Sequence, residues 1–313
     1  MTPTQQTPLP LREVVKPTHL FESDRLNQAL GVQLTIASET GQHTGSFKFR
    51  AAYNVASTVP NDLIITASSG NFGQALAYAC KLLGKACIVV MPTTSAKIKM
   101  AAVRHHGGRV ELVDTTVKSR AERVAELAAE HPEAYVASSY DDRLVIAGNA
   151  SLGVELATCG RAFDRVIVPV GGGGLSAGVV TGLRQAGSHV PVIGAEPLLA
   201  NDAARSLRAG EIVVNPGEPQ TIADGARTVS LGRHNWEVLR EGLRDLVEVP
   251  EERIKEAVRL YARLADHRVE PTGALTLGAV LTRPEEFRGL RVCCIVSGGN
   301  VDADVYDRLM AEA

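Results

Sequence analysis

The sequence predicts an α/β protein with two open parallel sheets, and three observations favour this fold class. Short apolar segments alternate with helix-prone segments along the chain, and the links between them are short. The apolar segments, such as residues 63–67 and 165–170, have no polar face, which is typical of parallel strands covered by helices on both sides. Glycine- or serine-rich turns follow several of them, and ligands in such folds bind beyond the carboxyl ends of the strands.

In the first half of the chain, the pattern predicts helices and strands in near-regular alternation. Strands are expected at residues 34–36, 63–67, 86–91, 109–113 and 134–137. Helices are expected at residues 26–30, 48–55, 74–83, 96–106 and 117–130.

The second half repeats the pattern. Strands are expected at residues 165–170, 190–196 and 290–296, and helices at residues 175–184, 235–243, 251–265 and 273–281. A chain of 313 residues is long enough for two domains. We expect a large domain formed by residues 1–49 and 141–313, a small mobile domain formed by residues 50–140, and a ligand between them.

The composition is ordinary for a globular protein and excludes several classes of partner. The formal net charge of −2 provides no basic field to hold nucleic acid or an anionic membrane. No apolar run approaches the roughly 20 residues of a membrane-spanning helix. The five cysteines lack metal-ligand spacing, which favours free thiols in a reducing compartment. Residues 1–10 show no signal-peptide pattern, so a cytoplasmic location is expected.

Lys48 lies between Phe47 and Phe49, directly after the turn Thr44-Gly45-Ser46 and at the start of a predicted helix. An apolar pocket would lower the pKa of a lysine and make its neutral, nucleophilic amine available for an aldehyde. The alternative is a lysine that extends from the first turn of a helix to the solvent while the phenylalanines pack.

Three turns follow apolar strands: Ser68 to Gly73, Gly171 to Gly174, and Ser297 to Asn300. Four consecutive glycines between a strand and a helix expose backbone N–H groups at a helix N-terminus, which suits a phosphate. The alternative is a glycine-rich turn in left-handed conformation that binds no ligand.

A phosphate-binding turn and a desolvated lysine together suggest a phosphorylated aldehyde, pyridoxal 5'-phosphate. Ser68 and Ser69 could then bind a substrate carboxylate, Asn71 the ring hydroxyl and Ser297 the ring nitrogen. Serine and asparagine are also common in turns for purely local reasons.

Seven segments, spanning roughly residues 15–303, occur in this order: Thr44-Gly45-Ser46-Phe47-Lys48, Ser68-Ser69-Gly70-Asn71, Val168-Pro169-Val170-Gly171-Gly172-Gly173-Gly174, Glu196-Pro197, Thr221-Ile222-Ala223-Asp224-Gly225, Glu270-Pro271-Thr272 and Ser297-Gly298-Gly299-Asn300. Together they resemble the pyridoxal-phosphate-dependent threonine/serine dehydratase and serine racemase family. The resemblance implies two open parallel-sheet domains of the tryptophan-synthase-β type, which is fold type II, and a homodimer.

The resemblance also implies a role for each residue of the site. Lys48 would be the Schiff-base lysine, Phe47 would pack on the cofactor ring, Asn71 would contact the ring hydroxyl, and Ser297 the ring nitrogen. The other implied cofactor contacts are Gly171, Gly172, Gly173, Gly174, Leu175, Gly225 and Glu270. The implied substrate contacts are Ser68, Ser69, Gly70, Asn71 and Phe72.

Two further roles follow from the resemblance. In racemases of this branch, the second serine of the Ser-Ser-Gly-Asn turn is a catalytic acid/base, and that position is Ser69 here. The alternative for Ser69 is a hydroxyl that binds the substrate carboxylate. Family members also bind a divalent cation, and Glu196, Ala200 and Asp202 match the spacing of its ligands. Mg²⁺ or Ca²⁺ would suit these oxygen ligands, and the alternative is two solvated acids beside a helix start.

The sequence departs from the family at a few positions. Phe72 replaces the histidine that often follows the asparagine of the turn, which puts the polarity of the substrate pocket in doubt and favours a bulkier or more apolar side chain. Ala37 replaces a lysine of the entry segment, and Pro17-Thr18-His19-Leu20 replaces a common Thr-Pro-Leu.

Three functions stay open at this point. The first is a lyase that eliminates water and then ammonia from a β-hydroxy amino acid such as L-serine or L-threonine, or from a bulkier or acidic substrate such as phenylserine or 3-hydroxyaspartate. The second is a serine or aspartate racemase with dehydratase side activity. The third is a non-catalytic sensor on the same fold, since fold alone does not fix function.

Overall fold

The computed structural model describes residues 10–68, 70–95 and 97–311, and of Ile98 only the backbone. The strands are β1 His19–Phe21, β2 Gln33–Ser38, β3 Leu63–Ala67, β4 Ala86–Pro92, β5 Arg109–Val113, β6 Tyr135–Ala137, β7 Arg165–Pro169, β8 Val192–Pro197, β9 Leu243–Val249 and β10 Arg291–Val296. The helices are α1 Leu11–Val14, α2 Asp24–Leu30, α3 Lys48–Thr58, α4 Asn71–Leu83, α5 Lys97–His105, α6 Arg120–Glu130, α7 Arg143–Thr158, α8 Gly174–Gln185, α9 Asp202–Ala209, α10 Arg233–Gly242, α11 Glu251–Ala265, α12 Pro271–Thr282, α13 Pro284–Phe287 and α14 Ala303–Ala311.

The strands form two sheets, as the sequence predicts. The larger sheet has the order β1-β2-β10-β7-β8-β9, and only β1 is antiparallel to its neighbour. The smaller sheet has the order β5-β4-β3-β6 and is parallel throughout. In register, Cys293 of β10 lies opposite Thr35 of β2 and Val166 of β7.

Both faces of the larger sheet are buried. Cys294 packs in one hydrophobic cluster, with α11 and α12, and its neighbour Cys293 packs in another, with α7 and α8. Neighbouring side chains of a strand point to opposite faces, so an apolar run such as Arg291–Val296 fits a strand with a helix layer on each side.

Helix α7 is the largest element that the sequence pattern did not predict. Its buried residues include Gly148 and Gly153, which lower helix propensity in an isolated segment. Here they permit close packing: a Cβ on Gly148 would lie 2.5 Å from the carbonyl oxygen of Arg50, and one on Gly153 would lie 2.4 Å from that of Val179. The helical conformation of this segment is therefore stabilised by tertiary contacts.

Other differences are smaller. Residues 243–249 form β9, where the pattern predicted a helix as far as residue 243. Helix α6 begins at Arg120 and not at residue 117, because Ser119 and Glu122 form a capping box. The short elements β1, α1, α9, α13 and α14 were not predicted either.

The predicted functional turns lie at equivalent places in the fold. The turn after β3 leads into α4, the glycine turn after β7 leads into α8, and Ser297 follows β10. The smaller sheet lies within residues 63–137, and the domain boundaries at residues 50 and 140 stay predictions. In the described ranges, no helix combines the length and the apolar character needed to cross a membrane.

Candidate active site

Lys48 is the first residue of α3, and its amine is held at the centre of the predicted site. Nζ donates a hydrogen bond to the carbonyl oxygen of Ser139 at 2.7 Å. It lies 5.0 Å from the ring centroid of Phe47 and 5.7 Å from that of Phe72. Burial lowers the pKa of Lys48 to about 8, against the raising effect of Glu270. This environment makes the neutral amine more accessible than it is for a solvated lysine.

Ser297 directly follows β10 and lies next to the segment that precedes Lys48. The backbone N–H of Phe47 donates to the carbonyl oxygen of Ser297 at 3.0 Å, and Ser46 pairs with Gly298 in an isolated bridge. The Oγ atoms of Ser297 and Ser46 are buried and have no hydrogen-bond partner among the described residues. An unpaired buried hydroxyl is costly, so Ser297 has an open position for a ligand atom.

Ser139 and Tyr140 connect the glycine turn to the lysine, because Ser139 binds the Lys48 amine and the neighbouring Tyr140 packs on Gly172. A Cβ on Gly172 would lie 2.3 Å from the Tyr140 ring, and Gly173 has φ +92°, so both positions need glycine. The N–H groups of Gly171 to Gly174 donate to no other residue in the described part of the chain. These N–H groups precede and begin α8, and their arrangement suits a phosphate.

Two of the other predicted cofactor contacts line the same region. Gly225 donates its N–H to Thr272 Oγ1 at 3.0 Å, and its carbonyl oxygen lies 3.1 Å from where a Cβ on Gly171 would be. Leu175 is buried in the first turn of α8. The pyridoxal phosphate contacts predicted around the glycine turn are therefore assembled in one place.

Asn71 and Glu270 form the polar side of the site. Asn71 Nδ2 lies 3.1 Å from each carboxyl oxygen of Glu270. Burial raises the pKa of Glu270 to about 8, and the charge of Asp224 adds to this effect. Burial therefore favours the protonated form of Glu270, beside Asn71, more than it is favoured for a solvated glutamate.

The turn after β3 supplies the predicted substrate contacts. Ser68 Oγ accepts from the N–H groups of Gly73 at 3.1 Å and Gly70 at 3.4 Å, so this hydroxyl also stabilises the turn. Phe72 is 1% exposed and packs into the hydrophobic cluster of the smaller sheet, with its ring near Lys48 Nζ. Ser69 lies outside the described residues.

The predicted metal ligands are buried, which rules out the alternative of two solvated acids. Glu196 is 1% and Asp202 is 2% exposed. Glu196 accepts hydrogen bonds from the N–H groups of Ala203 and Ala204, and Asp202 Oδ2 has no partner among the described residues. Burial raises the pKa of Glu196 well above its ordinary value and that of Asp202 to about 6.

A third protein ligand would come from a backbone carbonyl. Among residues 10–68, 70–95 and 97–311, no group of three or more His, Cys, Asp or Glu side chains is placed to hold a metal. Ala200, at the end of the 3₁₀ turn Leu198–Ala200, is the predicted carbonyl ligand. Two carboxylates and a carbonyl are hard oxygen donors that suit Mg²⁺ or Ca²⁺.

Tyr140 and Lys99 are among the residues of the site that sequence reasoning missed. Tyr140 carries no motif, and only the fold shows that its ring covers Gly172. Lys99 pairs with Asp224 at 2.8 Å and links α5 to the 3₁₀ turn Asp224–Ala226. The sequence contained no signal for either contact.

Known proteins resemble the chain over nearly its whole length. The profile of the family described as Pyridoxal-phosphate dependent enzyme matches residues 11–298. An L-threo-3-hydroxyaspartate ammonia-lyase from Pseudomonas sp is 36% identical and aligns over 94% of this chain and 92% of its own. The serine racemase of Homo sapiens is 35% identical over 93% of this chain and 88% of its own.

The solved structures agree with the sequence comparisons. The crystal structure of a T.th. threonine deaminase has a TM-score of 0.87 at 38% identity, and it covers 93% of this chain and 95% of its own. The predicted fold, the predicted cofactor and the predicted class of enzyme, a dehydratase-like ammonia-lyase that uses pyridoxal phosphate, are thereby confirmed. The chain belongs to the family of pyridoxal-phosphate-dependent enzymes, in the fold type II branch of dehydratases and racemases.

Proposed function

We propose that the protein eliminates water and then ammonia from a β-hydroxy amino acid such as L-serine or L-threonine, and releases a 2-oxo acid. The observation that carries this proposal is the buried amine of Lys48. Its burial lowers the pKa of Lys48 to about 8. The same site contains groups that have no hydrogen-bond partner within the described ranges of the chain, namely the Ser297 hydroxyl and the N–H groups of Gly171 to Gly174.

The residues fit pyridoxal phosphate. Gly171 to Gly174 would hold the phosphate, Ser297 the ring nitrogen and Asn71 the ring hydroxyl, while Phe47 would pack on the ring. When bound, the cofactor supplies an electron-withdrawing ring that makes the substrate α-proton acidic. A neutral serine hydroxyl at the ring nitrogen would leave the ring uncharged.

Lys48 has two tasks in this proposal. Its amine would hold the cofactor aldehyde, and in its free form the amine would accept the α-proton of the substrate. An amine with a pKa of about 8 is neutral in a useful fraction at physiological pH, which general-base catalysis requires. The Ser139 carbonyl oxygen, 2.7 Å from Nζ, would orient the amine.

The first experiment measures cofactor binding in Lys48→Ala. The purified wild type should show a visible absorbance band from the lysine-bound cofactor, and the variant should lose the band. Lys97→Ala, which removes a lysine from α5, serves as the matched control and should keep it. A wild-type protein that shows no such band after incubation with pyridoxal phosphate would contradict the proposal.

The second experiment identifies the substrate. The holoenzyme is given serine, threonine, 3-hydroxyaspartate and phenylserine, each as separate enantiomers, and 2-oxo acid release is measured. Release from one or more of them supports the lyase. Cofactor binding with no 2-oxo acid from any of them would favour a racemase or a sensor. A preference for phenylserine would support the prediction that Phe72 favours a substrate with a bulkier or more apolar side chain.

Racemisation is the second candidate function, and the 35% identity to a serine racemase together with the Ser-Ser-Gly-Asn turn favours it. In that reaction Ser69 would exchange a proton on the ring face opposite Lys48. Chiral analysis of the remaining amino acid tests this role. Ser69→Ala should abolish the appearance of the other enantiomer, and wild-type enzyme that produces none would exclude the racemase.

We also propose that Glu196, the carbonyl of Ala200 and Asp202 bind Mg²⁺ or Ca²⁺. The support is the burial of both carboxylates and the unpartnered Oδ2 of Asp202 among the described residues. Adding Ca²⁺ to chelator-treated protein should raise its melting temperature, and Asp202→Asn should remove the increase. An unchanged melting temperature in the wild type would count against the site.

The expectations for assembly and location complete the proposal. A homodimer is expected from the family resemblance, and analytical ultracentrifugation would measure the molar mass directly. A cytoplasmic location is expected, and the five cysteines, all free in the structure, are consistent with a reducing compartment. The proposed small-molecule partner is the amino-acid substrate alone, with no nucleic acid or membrane.

A further inference from the structure

Asn300, the last residue of the Ser-Gly-Gly-Asn turn, connects two parts of the site that are far apart in the sequence. Its Nδ2 atom donates to the carbonyl oxygen of Thr44 at 2.7 Å and to Asn71 Oδ1 at 2.8 Å. An asparagine amide has two N–H groups, so these two bonds use both of them. Asn300 thus joins the turn before Lys48 to the first residue of α4.

The donor and acceptor roles in these hydrogen bonds fix the orientation of the Asn71 side-chain amide. A backbone carbonyl can only accept, so the Asn300 amide must present its nitrogen to Thr44. The same nitrogen then faces Asn71, which must present its oxygen in return. Gln74 Nε2 donates to the same oxygen at 3.3 Å. The nitrogen of Asn71 is therefore turned towards Glu270 and the interior of the site.

The position of Asn300 itself is closely restrained. A Cβ on Gly45 would lie 2.3 Å from Asn300 Oδ1, so the side chain packs directly on the backbone of this glycine. Thr44 has φ +61°, a left-handed conformation that is unfavourable for a β-branched residue. The bond from Asn300 to the carbonyl of Thr44 stabilises the turn in this conformation, shortly before Lys48.

We propose that Asn300 is a positioning residue, which holds the Asn71 amide with its N–H groups towards the cofactor ring hydroxyl. This inference rests on the proposed role of Asn71. Without Asn300, the Asn71 amide could rotate and present its oxygen to the ring hydroxyl. The cofactor would then lose a hydrogen-bond donor, although Asn71 itself is unchanged.

The test compares Asn300→Asp, Asn71→Ala and the double variant. Aspartate has nearly the same shape but cannot donate to Thr44 or Asn71. Each single variant should weaken pyridoxal phosphate binding about ten-fold, the loss expected for one hydrogen bond to a charged group. Each should also shift the pH dependence of the visible cofactor band. The double variant should bind no more weakly than the weaker single variant, because both changes remove the same donor.

Asn54→Asp is the matched control. Asn54 Nδ2 also donates to a backbone carbonyl oxygen, that of Leu144, at a distance of 2.8 Å, and Asn54 is not one of the residues predicted to contact the cofactor. It should lower the melting temperature without changing cofactor affinity or the band. If Asn300→Asp does not fold, Asn300→Ser replaces it in the same cycle with the same expected non-additivity.

The outcomes separate the two proposals. The positioning role alone would be overturned if the losses of cofactor affinity were additive in the double variant. It would also be overturned if the Asn300 variants kept the wild-type band and cofactor affinity while Asn71→Ala lost them. An unaffected Asn71→Ala would overturn the proposed role of Asn71, and the positioning role with it. A lower melting temperature with an unchanged band in the Asn300 variants would indicate a purely structural bond and would also overturn the inference.

Discussion

The hydroxyl of Ser297 is buried and unpartnered among the described residues, so its removal should affect stability and cofactor binding differently. Ser297→Ala should leave the free energy of unfolding of the cofactor-free protein unchanged or raise it by up to about 1–3 kcal/mol, because it removes a buried polar atom that has no hydrogen bond to lose. The same change should weaken pyridoxal phosphate binding about ten-fold. Urea unfolding and equilibrium dialysis measure the two effects.

Thr276→Val provides the opposite case. Thr276 is fully buried, and its hydroxyl donates to the carbonyl oxygen of Ile295 at 3.2 Å. Its loss should cost about 1 kcal/mol of stability and leave cofactor affinity unchanged. If Ser297→Ala were the more destabilising of the two, the Ser297 hydroxyl would have a structural partner and not an open position for the cofactor.

Glu270 should make the stability of the cofactor-free protein depend on pH. Burial and the charge of Asp224 raise its pKa from 4.5 to about 8. Between these values the folded protein binds a proton that the unfolded chain does not, so the free energy of unfolding falls as pH rises from 4.5 to 8. The slope is at most about 1.4 kcal/mol per pH unit. In Glu270→Gln this contribution to the slope should be absent.

Urea unfolding at several pH values from 5 to 8 measures this difference. The pKa of Lys48, lowered to about 8, places its titration at the upper end of this range. Asp224→Asn should reduce the slope without abolishing it, because the charge of Asp224 contributes less than burial. Parallel stability curves for the wild type and Glu270→Gln would show that the pKa of Glu270 is not raised in the folded protein.

At the scale of elements, the turn between β7 and α8 depends on the absence of a side chain at Gly172. In Gly172→Ala the new methyl group would lie 2.3 Å from the Tyr140 ring, which must then move. We expect a loss of about 1–3 kcal/mol in stability from overpacking. Cofactor affinity should fall by more than about ten-fold, because the N–H groups of the turn would no longer be aligned.

Gly217→Ala is the matched control, since a Cβ at this position would have no atom within 4 Å. Its melting temperature should equal or exceed that of the wild type, because alanine restricts the unfolded chain. Thermal unfolding and cofactor titration of both variants measure the effects. Wild-type affinity in Gly172→Ala would contradict the phosphate-binding role of this turn.

At the scale of the whole molecule, an ion pair between Lys99 of α5 and Asp224 links the parts that carry the two sheets. Both side chains are partly exposed, so the pair should contribute no more than about 1 kcal/mol. If closure of the smaller part accompanies substrate binding, Lys99→Met should raise KM about two- to five-fold. Added salt should raise the KM of the wild type more than that of the variant, because it screens the pair.

Lys118→Met is the control for this experiment. Lys118 pairs with Glu126 of the neighbouring α6, so its replacement removes the same charge without breaking a link between the two parts. Its KM should stay at the wild-type value. Equal KM changes in both variants would indicate a general effect of charge, and an unchanged KM in Lys99→Met would show that the pair does not contribute to closure.

Local patterns predicted much of the fold, because parallel strands buried on both faces leave apolar runs that are visible in the sequence. Residues 63–67 and 109–113 were predicted as strands with the bounds that the structure shows. Helix α7 was missed because half of its 16 residues are buried and because it contains glycines that only its close helix neighbours explain. Strand β9 was missed because charged residues interrupt the apolar residues of Leu243–Val249. This segment therefore lacks the continuous apolar run by which the other strands were recognised.

The sequence by itself determined the cofactor, and it predicted the lysine and the glycine turn that would hold it, because each of these predictions depends on residue types that are adjacent in the chain. Only the tertiary structure decided how Thr44, Asn71 and Asn300 are joined, across separations of 256 and 229 residues. Such bonds depend on strand order and on the register of β10 against β2, which places Ser297 and the residues after it beside the lysine turn. The covering of Gly172 by Tyr140 and the burial of Glu270 were decided in the same way, since both result from packing between segments that are remote in the sequence.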